Sequence, residues 1–151
     1  MIVKRYALIT GASSGLGAEF AQQLAALGHP LILVARREDK LAALASTLHE
    51  QYGAAVEVIA ADLSQPDTPQ KIAATCLASG WQVDWLINNA GVAGPDLLKD
   101  RDWSQQQAFY QLMMLSVAEM CHLFIPSMLE RGHGRVINIA SVAARVPRSG
   151  G

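Results

Sequence analysis

Thr10-Gly11-Ala12-Ser13-Ser14-Gly15-Leu16-Gly17 follows directly on the apolar run Tyr6-Ala7-Leu8-Ile9. Glycines at this spacing let a buried strand turn sharply into a helix and pack closely against it. Such a turn brings backbone N–H groups and the positive end of a helix dipole up to an anion, a diphosphate above all. Ser13 and Ser14 add hydroxyls that can donate to phosphate or ribose. Ser14 also stands where a helix N-cap belongs, and the two roles are compatible. Taken alone, the turn has a second reading as a tight strand-to-helix connection without a ligand.

The elements that must position this turn alternate along the chain. Residues 5–10 form a first strand, apolar almost throughout, as a parallel strand covered on both faces should be. The helix after it carries Leu16, Phe20, Leu24 and Leu27 on one stripe, with Gly28 to end it and Pro30 to forbid its continuation. A second strand spans 31–35. A second helix has Leu41, Leu44, Leu48 and Tyr52 in register and closes at Gly53. Residues 56–60 are a third strand, and 66–79 a helix entered at Ser64 or Gln65 with Pro66 near its first turn. A fourth strand covers 83–88. A long helix over 103–131 turns Phe109, Leu112 or Met113, Ser116, Met120, Leu123 and Met128 inward and bends at Pro126. Residues 135–140 are a fifth strand and 142–151 a loop.

This alternation predicts an α/β fold, a doubly wound, Rossmann-like parallel sheet in the order 3-2-1-4-5. An apolar parallel strand at an open edge is an aggregation liability. The sheet therefore reads as incomplete, covered by another chain or belonging to a longer protein. At 151 residues and 51% hydrophobic, the chain fits one domain with a sizeable core, and a net charge of −1 predicts no nucleic-acid partner. Cys76 and Cys121 lack ligand spacing, which predicts free thiols in a reducing compartment, with no metal site. No signal peptide is read at the N-terminus, and no uninterrupted apolar stretch is read as long enough to cross a bilayer. A cytoplasmic protein without a membrane partner is expected.

Thr10–Gly17, Asn88-Asn89-Ala90-Gly91 and Arg135-Val136-Ile137-Asn138-Ile139-Ala140-Ser141 resemble, in order and spacing, three successive motifs of the short-chain dehydrogenase/reductase family. The resemblance runs through the whole chain. It implies an oxidoreductase passing hydride between a nicotinamide and a small-molecule carbonyl or secondary alcohol. It also implies that Gly11, Ser13, Ser14, Gly15, Leu16 and Gly17 cradle the cofactor diphosphate. Asp62-Leu63 resembles the position that holds adenine, the carboxylate accepting from the exocyclic amine and Leu63 forming an apolar wall. Asp62 as a cap of the next turn is the other reading. Asn89, Ala90 and Gly91 would line the cofactor cleft, with Asn88 structural. Ser141 would be the catalytic serine that orients the substrate oxygen, an ordinary turn being the alternative.

Arg36 and Arg37 end the second strand, where the adenosine ribose of such a fold lies. An acidic residue there would accept from a 2′-hydroxyl and mark NAD. Two guanidiniums suit a 2′-phosphate through charge-assisted, bidentate bonds, so NADP(H) is expected over NAD(H). The competing reading is a solvated cluster with Glu38, Asp39 and Lys40, where exposed pairs contribute little. Arg36 is expected to bind, and Arg37 either to assist or to be solvated.

Two departures stand out. The family's acid/base is the tyrosine of a Tyr-x-x-x-Lys motif beyond the serine, its phenol pKa lowered by the lysine. Tyr6, Tyr52 and Tyr110 are the only tyrosines, none has lysine four residues on, and Gly151 falls just before the motif is expected. These residues by themselves are expected to be inactive, the N-terminal part of a reductase. Counting back from Pro126, the family's relay asparagine falls on Met113, whose thioether is too weak an acceptor to hold a relay water. Packing into the core is the other reading of Met113, and Gln111 and Ser116 lie close by. Against the enzyme stands a non-catalytic NADP(H)-binding regulatory or interaction module. Under either reading the long helix is expected to pair copies into a homo-oligomer.

Overall fold

The computed structural model describes residues 4–141. Its strands are β1 (Arg5–Thr10), β2 (Leu31–Ala35), β3 (Val56–Ala60), β4 (Gln82–Asn88) and β5 (Arg135–Asn138). They form one parallel sheet in the order β3-β2-β1-β4-β5, as the alternation requires. The helices are α1 (Gly15–Ala26), α2 (Glu38–Tyr52), α3 (Thr68–Ala78), α4 (Trp103–Tyr110) and α5 (Ser116–Glu130).

Both faces of the sheet are covered. Ala7 and Ile9 of β1 point to one side, with Ala21 and Leu24 of α1 and Leu41 and Leu48 of α2. Tyr6 and Leu8 point to the other, with Ile72 of α3 and Met120, Phe124 and Met128 of α5. Burying each large apolar side chain in these two layers contributes about 1.5–3 kcal/mol, which is why β1 and β2 read as unbroken apolar runs.

The sheet register does the positioning. Thr10 lies beside Val34, and Ile9 beside Ile87. The chain leaving β1 therefore emerges between the ends of β2 and β4. Ala12 N–H donates to Val34 O (3.2 Å), which holds the turn after β1 against the end of β2.

Several local expectations need correction. In α1 the buried residues are Gly17, Ala21, Leu24 and Ala25, while Leu16 and Leu27 are 62% and 74% exposed. Small side chains allow the helix to lie close to β1, and the leucines flanking that narrow face fall on its rim. Helix α3 begins at Thr68 after Asp67, with Pro69 rather than Pro66 in its first turn. The preceding residues form a separate turn, in which Gln65 N–H donates to Asp62 O (3.1 Å). β5 ends two residues earlier than expected, although Ile139 N–H still donates to Asn88 O (2.9 Å).

The long helix is interrupted ahead of Pro126, which itself lies inside α5. Between α4 and α5 lies a π-helical turn, Gln111–Leu115. Gln106, Gln111 and Ser116 are all buried, at spacings of five; Met120, Phe124 and Met128 then follow at spacings of four. One turn of wider winding brings residues five apart onto the same face, which regular α-geometry does not. Ser116 Oγ–H donates to Leu112 O (2.7 Å) inside this turn. Phe109, Leu112, Met113 and Leu123, expected inward, are half-buried. The stretch Trp103–Glu130, 28 residues, is by length and composition apolar enough to cross a bilayer, contrary to expectation. A mostly buried core helix meets the same criterion; here 22% of the apolar window is buried, and Met120, Phe124 and Met128 pack on the sheet.

At the amino end of β4, Asp84 is almost fully buried and was not singled out in the sequence. Arg131, which ends α5, donates to Asp84 Oδ1 and to Val83 O, both at 2.8 Å. Arg5 approaches Asp84 Oδ2 at 3.5 Å. This group ties α5 to the sheet at the end opposite the turn after β1.

Candidate functional site

The site is built on the carboxyl ends of the strands, beginning with Thr10. Its hydroxyl accepts from the N–H groups of Asn89 and Ala90, both at 3.0 Å, and points at Ile87 O (3.4 Å). All three hydrogen-bonding capacities of one buried hydroxyl are thereby used. Asn89 returns the connection, its Nδ2 donating to Thr10 O (3.1 Å) and Gly11 O (3.3 Å). The segment after β4 is thus bound to Thr10 and Gly11 by four hydrogen bonds centred on two side chains.

The glycines can then be read from what surrounds them. Gly11 has φ +65°, and a Cβ there would lie 2.7 Å from Ala90 Cα. A Cβ on Gly17 would run into the carbonyl oxygen of Gly11 and lie 2.6 Å from Asn89 Nδ2. Neither position admits a side chain. Gly15 differs: its φ of +57° favours glycine, but nothing stands within 4 Å of a Cβ. The glycine-rich turn is shaped by the Asn89–Gly91 segment pressing on it.

A cleft opens over this turn. The turn itself contributes Gly11, Ser13 and Ser14; the end of β2 contributes Arg36 and Arg37. Asp62 and Leu63 face it after β3, and Asn89, Ala90 and Gly91 after β4. Ten of the fourteen residues singled out from the sequence meet here. Gly15, Leu16, Gly17 and Ser141 do not line it. Leu16 is largely exposed, and Gly17 is buried beneath the turn. Ser141 is exposed, three residues past the end of β5.

The polar groups of the cleft are specifically arranged. Ser14 is the N-cap of α1 by backbone conformation, yet its side chain makes no capping bond. Both serine oxygens instead accept from the same nitrogen, Arg37 Nη2, at 3.0 Å for Ser13 and 3.2 Å for Ser14. Asp62 Oδ1 accepts from the N–H and the hydroxyl of Ser64 at 3.0 and 2.8 Å, so one carboxylate oxygen does cap the following turn. Asn88 is buried and donates to Asn138 Oδ1 (2.8 Å), joining β4 to β5 beneath the cleft. The sequence reading left Thr10 without a role. Its only signal was a hydroxyl residue closing an apolar strand immediately before a glycine.

On the far side, Met113 of the π turn packs over Gly91; a Cβ there would sit 3.4 Å from its sulfur. Gly94 lies against the ring of Phe109, where a Cβ would be 2.9 Å from Cζ. The chain after β4 is therefore clasped between the glycine turn and the long helix. The cleft combines a helix N-terminus, backbone cleared of side chains, two hydroxyls and two guanidiniums. That donor set fits a ligand carrying a diphosphate and a further anionic group.

Comparisons with known proteins agree. A family model described as short chain dehydrogenase matches residues 5–151. The very-long-chain 3-oxoacyl-CoA reductase of Anas platyrhynchos is 34% identical over 152 residues, covering 94% of this chain and 46% of the relative. The human protein of the same name is 32% identical over 146 residues. The chain thus spans about half the length of the curated relatives it matches. Among solved structures, a short-chain dehydrogenase from Sphingobium yanoikuyae in complex with NADPH superposes with a TM-score of 0.87 at 34% identity, over 97% of this chain and 57% of that one. A metagenomic short-chain oxidoreductase in complex with NADP gives 0.88 at 33%, over 99% and 68%.

Proposed function

The chain belongs to the short-chain dehydrogenase family, and from that premise we propose that it is the nucleotide-binding part of an NADP(H)-dependent reductase or dehydrogenase acting on a small-molecule carbonyl or secondary alcohol. A single observation carries the cofactor preference: the end of β2 presents Arg36 and Arg37 to the cleft where NAD-binding chains of this fold place an acid. In this reading Gly11 and the N-terminus of α1 receive the diphosphate, with Ser13 and Ser14 as further donors. Asp62 and Leu63 border the adenine, Asp62 through the oxygen that Ser64 leaves free. Asn89, Ala90 and Gly91 form the wall toward the nicotinamide. A bound nicotinamide coenzyme supplies or takes up the hydride.

Ser141 is assigned to orient the substrate oxygen, from its place at the carboxyl end of the sheet beyond β5. None of the three tyrosines has a lysine four residues on, and none is assigned as the proton donor in this reading. The alternative reading is a module that binds NADP(H) without turnover. Carbonyl-dependent oxidation of NADPH by the whole protein separates the two.

The cofactor proposal is tested by titrating the protein with NADPH and with NADH, following tryptophan fluorescence and the melting temperature. NADPH is expected to bind more tightly and, at a hundred times its Kd, to add about 2.7 kcal/mol of stability. Arg36→Ala should weaken NADPH by roughly 1.5–3 kcal/mol and leave NADH unchanged. Equal weakening of both coenzymes would contradict the 2′-phosphate assignment.

A further inference from the structure

Resting on the reading of Ser141 as the residue that orients the substrate oxygen, we propose that Asn138 is a positioning residue. Together with Asn88 and Cys121 it holds the carboxyl end of β5 in place and thereby sets where Ser141 stands. The need for such a hold follows from the strand itself. β5 has four residues, pairs with β4 alone within the described sheet, and has Arg135, Val136 and Asn138 exposed. Apolar burial does little to keep so short an edge strand in register.

Its last rung is polar. Asn88 and Asn138 lie opposite each other in the parallel register, so their side chains leave the sheet on the same face. That face is the one covered by α5, because Leu86, two residues before Asn88, packs in one layer with Met120 and Phe124. Asn88 is buried, and both hydrogens of its Nδ2 find acceptors there. One goes to Asn138 Oδ1 at 2.8 Å and the other to Cys121 Sγ at 3.5 Å. Cys121 Sγ in turn reaches Asn138 Oδ1 at 4.0 Å. A strand from the interior, the edge strand and the long helix thus meet in one closed triangle of side chains.

Asn88 also holds the backbone at this point, its carbonyl accepting from Ile139 N–H at 2.9 Å. Ser141 follows two residues later, a reach of about 7 Å of extended chain. Any slip of the Asn138 rung is therefore passed on to Ser141 over a short tether. None of the three side chains lines the cofactor cleft, and the Thr10–Asn89 contacts that shape the cleft do not involve them. The triangle can thus govern the reacting end of the site without governing coenzyme affinity.

The test uses the whole protein, with phenanthrenequinone as a reporter carbonyl and NADPH oxidation as the signal. Asn138→Leu keeps the size and removes the acceptor. It should lower kcat by about tenfold to a hundredfold, as displacement of a reacting group by an ångström does, and leave the Kd of NADPH unchanged. Amide hydrogen exchange at Ile139 should quicken in this variant, while that of Ala90, bound to Thr10, stays the same. Asn138→Asp keeps an acceptor oxygen for Asn88 and should retain most of the turnover. Cys121→Ala removes only the sulfur contact and should cost less than Asn138→Leu. An unchanged kcat in Asn138→Leu, a loss of coenzyme affinity alongside kcat, or an Asp variant as poor as the Leu variant would each overturn the positioning role. Absence of turnover by the unaltered protein would instead remove the catalytic reading on which the role stands, and exchange at Ile139 would then report the hold on β5 alone.

Discussion

The two halves of the sheet's carboxyl edge are built differently. Around β1 and the chain leaving β4, four positions are specified by contact: Thr10 and Asn89 bind the segments together, and Gly11 and Gly17 have no room for a Cβ. Around β5, Arg135, Val136, Asn138 and Ser141 are exposed, and the strand is four residues long. One half is closed by its own contacts, and in the other β5 is the edge strand of the described sheet, with Ser141 three residues beyond it. Holding a nucleotide needs backbone of fixed shape, which these contacts create. Orienting a substrate needs groups facing Ser141 from several sides. The two functions should therefore fail independently.

The largest expected effect breaks the closed half. Gly17→Ala drives a Cβ into the Gly11 carbonyl, and backbone must move. Overpacking of this kind costs roughly 1–3 kcal/mol of stability, and binding of both coenzymes should be lost. Denaturant unfolding and fluorescence titration measure the two. Next comes Thr10→Val, which keeps the shape but leaves the Asn89 and Ala90 N–H groups without their acceptor. A drop of about 1–3 kcal/mol is expected, with weaker binding of both coenzymes. An unchanged midpoint in urea would mean that the Thr10 bonds do not hold the two segments together. Smaller again is Gly15→Ala. No atom obstructs the new Cβ, so only the left-handed backbone conformation resists it, at about 1–2 kcal/mol. A loss as large as that of Gly17→Ala would show that the closed half extends to Gly15. Ser141→Ala should leave coenzyme affinity intact. In the catalytic reading it abolishes turnover by the whole protein. A matching loss of affinity would join the two halves that the structure separates.

Strand boundaries and sheet order were legible because a parallel strand covered on both faces must be a contiguous apolar run between turn residues. Helix faces were less so. In α1 the stripe was half right: Leu24 is buried and Phe20 packs against the core, but Leu16 and Leu27 are exposed and Gly17, Ala21 and Ala25 are buried in their place. A periodic pattern does not say which of two overlapping stripes is buried when one consists of small residues. The π turn left no trace: it brings Gln111 and Ser116 onto one buried face, and of the two only Ser116 was read as facing inward. Ten of the residues proposed for the cleft could be named in advance, yet not the hydroxyl of Thr10 that binds its two sides.

Local rules sufficed for the glycine-rich turn and for the positive charge beyond the second strand, because glycine conformations and apolar runs are properties of neighbouring residues. Which guanidinium is free and which is held was decided only in three dimensions. Arg37 meets Ser13 and Ser14 across 24 and 23 residues of sequence, a contact set by the register of Thr10 beside Val34. No arrangement of residues along the chain encodes that distance separately from the packing that creates it.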